Sequence, residues 1–170
     1  VYGVKLLDFE RPRGQELVPE AEACIESLPG CVPQYNSKRS VAVFFLDVRT
    51  NKDPLTEGRF GDFLGEEQWS WFEAAIGRSR AAVNVVVNGL QVHSQIFPID
   101  NFAESWPVFP RAQRRLYDAI LQDGVQAPIL VSGDVHMTQL MRQDCMRHDD
   151  IEHHQGRRRP DRKSTRLNSS

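Results

Sequence analysis

Two side chains with the chemistry of a metal or proton site, Asp134 and His136, stand two residues apart in Ser132-Gly133-Asp134-Val135-His136. One is a hard oxygen donor and the other an imidazole, a pairing that suits a zinc, iron or manganese ion. They follow the apolar run Pro128-Ile129-Leu130-Val131, which Pro and Gly bound as they would a buried strand. In an open α/β sheet, ligands bind just beyond the carboxyl ends of the strands, so this is where chemistry is expected. Gly133 would let the chain turn there.

The elements that would position this turn are readable from apolar patterning. Residues 1–7 form a candidate strand and residues 19–27 a short helix with Pro19 in its first turn. Residues 41–46 are a continuous apolar run and residues 81–87 a nearly all-apolar one, the pattern of strands covered on both faces, ending at Asp47 and at Asn88-Gly89. Residues 64–77 and 110–123 carry helical spacing, with Glu66 and Glu67 at the start of the first helix and Gly77 as its stop signal. Residues 137–145 are expected to turn back into a helix. Strand, helix, strand, helix, strand specifies a layered α/β domain. If the three strands are parallel neighbours, Asp47, Asn88, Asp134 and His136 share one rim.

Each candidate has a plainer reading. The Trp69/Trp71/Phe72 cluster reads as core. Arg111, Arg114 and Arg115 read as a solvated helix face rather than a phosphate clamp, and His93 as a structural histidine. Asp47 and Arg49 are expected to form a buried pair fixing a strand end. Gln91 lies on a strand-end segment where site-lining groups can occur.

Composition narrows the field. The 170 residues suffice for one domain with a core, and no apolar run approaches the roughly 20 residues of a membrane span. Six of the 21 Lys/Arg and two of the 23 Asp/Glu follow Asp150, so residues 1–150 carry a net charge of −6. A nucleic-acid reading would rest on the tail alone, and none is expected. Cys24 and Cys31 are close enough in sequence to bridge, leaving Cys145. An odd count without Cys-x-x-Cys indicates no zinc site and no clear redox compartment.

Five segments in order carry a resemblance: Leu46-Asp47-Val48-Arg49, Leu64-Gly65-Glu66-Glu67-Gln68-Trp69-Ser70-Trp71, Gln91-Val92, Ser105-Trp106 with Phe109-Pro110, and Ser132-Gly133-Asp134-Val135-His136. Together they resemble the C-terminal half of the metallophosphatase domain of PhoD-like alkaline phosphatases. The resemblance implies a calcineurin-like core of two packed mixed sheets with helices outside, and two or more metal ions (Fe, Ca, Zn or Mn). It also implies hydrolysis of a small phosphate monoester or diester by a metal-activated water. It carries Asp134 and His136 over as metal ligands, with Asp47, Arg49 and Gln91 as possible site-lining residues. Family members are often exported or endomembrane-associated. The family's other metal motifs lie upstream of the matched segments and none is in this chain, so the chain alone is expected to be inactive and to leave apolar sheet surface bare. The rival expectation is a non-catalytic α/β domain whose Ser-Gly-Asp-Val-His turn is structural and hydrogen-bonded.

The expected domain spans residues 1–150. Residues 151–170 are expected to be a disordered tail, and residues 161–170 resemble the in-frame translation of a sequencing adapter.

Overall fold

The strands and helices form largely where patterning places them. The computed structural model describes residues 1–9, 19–27, 37–93, 104–133, 136 and 138–142. The chain divides into two units, Val1–Met137 and Thr138–Ser170. The first is an α/β layer: β1 (Gly3–Asp8), α1 (Pro19–Ser27), β2 (Ser40–Phe45), a 3-10 turn (Leu55–Phe60), α2 (Gly65–Arg78), β3 (Val83–Val87), a second 3-10 turn (Trp106–Val108), α3 (Pro110–Ile120) and β4 (Pro128–Val131). In the second unit, residues 138–142 are exposed and not helical, against the helix expected over residues 137–145.

One mixed sheet runs in the order β1-β2-β3-β4. β1 is antiparallel to β2, while β2, β3 and β4 are parallel. The register puts Val4, Leu6, Ala42, Phe44, Asn84 and Val86 on one face, all buried. α2 and α3 cover that face. Phe44 meets Phe72 edge-on at 6.0 Å, and Leu116 and Ile120 join the same core. Each large apolar side chain buried there contributes roughly 1.5–3 kcal/mol, which makes this face the main source of stability.

The opposite face corrects the expectation of strands covered on both sides. Leu7, Phe45, Ile129 and Val131 stand 41–48 % exposed, and the valines at 41, 43, 83, 85 and 87 between them are half-buried. β4 is an edge strand, not a fully buried one. Pro128 is the sequence signal for this, because a residue without an N–H is accommodated at a sheet edge.

The other edge is covered. Glu26 and Glu22 of α1 accept the outward Val4 and Leu6 amides, both at 2.9 Å. Arg78 in turn donates to the carbonyls of Ile25 (2.8 and 2.5 Å) and Glu26 (3.1 Å), closing the C-terminal end of α1 with a cation. Cys24, buried in α1, is disulfide-bonded; Cys31 and Cys145 lie outside the described residues.

α2 begins one residue later than expected and ends at Arg78, so Gly77 is helical rather than a stop. Its first turn is held by Asp62, whose carboxylate accepts the Gly65 amide at 2.7 Å and the Trp69 indole N–H at 2.8 and 2.9 Å.

Candidate functional site

β2, β3 and β4 end abreast. The Leu46 amide donates to the Val87 carbonyl (2.9 Å), and the Asn88 amide to the Val131 carbonyl (3.0 Å). The segments carrying Asp47, Asn88 and the His136 turn therefore leave the sheet from one rim, as parallel neighbours require. The α3 N-terminus is at that rim as well: Trp106, just before it, donates its indole N–H to Asn88 Oδ1 at 3.0 Å.

The rim residues differ in how far their donors and acceptors are spent. Asp47 Oδ1 accepts the Arg49 and Thr50 amides, both at 3.0 Å. Its Oδ2 accepts the Thr50 hydroxyl at 2.7 Å and the Val1 ammonium at 2.5 Å. The ammonium first, then the Thr50 hydroxyl and the two amides, hold this carboxyl well below the usual carboxylate range. Asp47 is thus a turn-forming residue, and its pairing with Arg49 is through the backbone. The expected buried Asp47–Arg49 side-chain pair is not formed: the Arg49 guanidinium, more than half exposed, bonds Glu104, which also meets Lys52 Nζ at 2.9 Å.

Asn88 is equally committed. Its Oδ1 takes the Leu90 amide as well as the Trp106 indole, both at 3.0 Å, and its side-chain N–H donates to Val131 O at 3.4 Å. Gln91 uses its carbonyl to accept the Trp106 amide at 3.0 Å and is partly buried. His93 is structural as expected: its ring stacks on Tyr117 at 5.4 Å, Nδ1 faces the Tyr117 hydroxyl at 2.7 Å, and burial holds its pKa below the ordinary imidazole value.

His136 is different. It is exposed, takes a left-handed φ of 55°, a conformation histidine tolerates better than most side chains, and has no hydrogen-bond partner among the described residues. Asp134 lies outside the described residues.

These donors do not by themselves fit a metal ion. Among the described residues no three His, Cys, Asp or Glu side chains are grouped to hold one, and a protein metal site needs about three or four ligands. Asp47, Asn88 and His93 have their acceptors occupied, leaving the His136 imidazole available.

One residue that sequence reasoning passed over ties the rim to α2, and one that it read as solvated joins the two helices. Gln68, fully buried, accepts the Asp47 amide and donates to the Asp47 carbonyl, both at 2.8 Å. Its signal was a polar residue on the apolar face of α2, next to Trp69. Arg115 joins α3 to α2, bonding Glu66 at 2.8 and 2.9 Å and Glu73 at 2.6 and 3.1 Å while lying 4.7 Å over the Trp69 ring. It is neither a solvated residue nor a phosphate clamp.

The family model of PhoD-like phosphatases matches residues 34–157, and the chain belongs to that family. A solved structure of PhoD is 23 % identical, over 66 % of this chain and 26 % of that one, with a TM-score of 0.47. The chain therefore spans about a quarter of that protein's length. No curated protein matches. Among the described residues, no helix is long and apolar enough to cross a membrane.

Proposed function

We propose that this chain is the C-terminal part of the catalytic domain of a metal-dependent phosphatase that hydrolyses phosphate monoesters or diesters. Asp134 and His136 would be its metal ligands, with the remaining donors, and most of the hold on two or more ions, supplied from outside residues 1–170. Family membership supports the phosphatase class. The observation that carries the site assignment is the His136 imidazole, exposed and without a hydrogen-bond partner among the described residues, on the segment that follows the end of β4. A structural turn histidine would have a ring nitrogen engaged, as His93 Nδ1 is by the Tyr117 hydroxyl. The resident ions, when bound, supply Lewis acidity and an activated water. What this chain contributes is the rim: Asp47, Gln68 and Asn88 fix the strand ends.

Two measurements test the reading. The 170-residue chain, supplied with Fe, Ca, Zn or Mn, is expected to leave p-nitrophenyl phosphate intact, because an incomplete ligand set does not hold the ion. In a protein that adds the remaining donors ahead of residue 1, His136→Ala is expected to lower turnover by at least about 100-fold, together with a loss of bound metal. Undiminished turnover would leave the turn as a structural feature and the domain without a catalytic role for it.

A further inference from the structure

Cys24 stands in α1, 2 % exposed, with its sulfur committed to a disulfide. The chain has two other cysteines, Cys31 and Cys145, so one of them is its partner; both lie outside the described residues. The bond ties α1 covalently to another segment of the chain.

The position of α1 gives that tether a consequence. β1 is the first strand of the sheet, and its outward amides meet no further strand among the described residues. Glu26 accepts the Val4 amide and Glu22 the Leu6 amide, while Glu22 also meets Lys5 Nζ at 3.2 Å. The helix thus fills the hydrogen-bonding positions that an added strand would take.

α1 has modest means of staying there. Its nine residues are too few for a helix to persist in water by itself. The described side chains it buries are Ala21, Glu22, Cys24 and Ile25, and of these only Ile25 is a large apolar group. Burial of the Glu22 carboxylate opposes docking except while its bonds to Leu6 and Lys5 are made. Beyond these contacts and the Arg78 bonds to the Ile25 and Glu26 carbonyls, the disulfide limits the freedom α1 would gain by leaving.

We propose that the Cys24 disulfide is a redox-sensitive clip: oxidised, it keeps α1 over the β1 edge; reduced, it lets α1 leave and opens the Val4 and Leu6 amides to solvent. The reductant is a dithiol. Its thiolate attacks one sulfur of the bridge, and its second thiol displaces the mixed disulfide so formed. Two electrons and two protons pass to Cys24 and its partner, and the dithiol departs as its own disulfide. The closed form then persists in an oxidising compartment and opens where thiol reductants act.

The test is hydrogen exchange of the isotope-labelled 170-residue chain, followed amide by amide by NMR with and without dithiothreitol. Reduction is expected to speed exchange at Val4 and Leu6 at least about tenfold, while the amides of β3, inside the sheet, stay within about twofold. Cys24→Ala is expected to reproduce this without reductant, and so is either Cys31→Ser or Cys145→Ser, one and not the other. Unchanged exchange at Val4 and Leu6 on reduction would overturn the proposal, because the Glu22 and Glu26 bonds would then hold α1 unaided. Equal acceleration in β3 would also overturn it, making the bridge a support of the whole sheet rather than a clip on one edge. An effect of dithiothreitol that persists in Cys24→Ala would overturn it by placing the sensitive group elsewhere.

Discussion

His93 Nδ1 faces the Tyr117 hydroxyl at 2.7 Å, and the same hydroxyl accepts from Gln113 Nε2 at 3.1 Å. Burial already opposes the charged form. An unfolded histidine takes up its proton at a higher pH than this one does. The associated stability is therefore complete above the ordinary imidazole range and is lost as pH falls through it. His93→Gln is expected to flatten the loss of stability between about pH 7 and pH 5, read from urea midpoints at several pH values. A slope identical to that of the unmodified chain would assign it to other groups.

At the scale of elements, the aromatic junction between the first 3-10 turn and α3 leaves no room at Gly61. A Cβ there would stand 2.3–2.7 Å from three atoms of the Phe109 ring, itself buried and 4.8 Å from Phe63. Gly61→Ala is expected to cost about 1–3 kcal/mol by forcing that ring off its packing, whereas Gly133→Ala, with nothing within 4 Å, should be near neutral. Thermal unfolding of the pair checks both; equal midpoints would show that Phe109 can give way. Neither Gly61 nor Phe109 announces this contact in the sequence. Apolar spacing marks Phe109 as core, but its ring meets a residue 48 positions away through the fold alone.

For the whole molecule, the consequential feature is the sheet face with Leu7, Phe45, Ile129 and Val131 exposed. An apolar face of this kind, beside a strand at the edge of the sheet among the described residues, drives association. The isolated chain is expected to scatter light increasingly with concentration. Ile129→Thr with Val131→Lys should suppress that while changing stability by no more than about 1 kcal/mol, since both side chains are nearly half exposed. An unmodified chain that stays monodisperse at high concentration would contradict this.

Sequence alone determined the strands and helices of the sheet layer, their order and the three strand ends, though not the two 3-10 turns, and residues 138–142 of the helix expected over 137–145 are not helical. The relevant periods are local, two residues in a strand and between three and four in a helix. α1 at Pro19–Ser27 is the clearest instance, and the rim shared by Asp47, Asn88 and the His136 turn follows once the strands are parallel. What tertiary structure decided is which side chains are spent. Asp47 and Asn88 look like site residues in the chain, yet their oxygens are consumed by backbone amides and an indole. Arg115 looks solvated, yet it meets acids 42 and 49 residues away, while Arg59 and Arg111 are left with the shared Phe60 ring and no acid among the described residues. Hydrogen-bond and ion-pair occupancy depends on contacts between distant segments, and no local pattern encodes it. The same holds for the edge position of β4, which Pro128 hinted at and strand order settled.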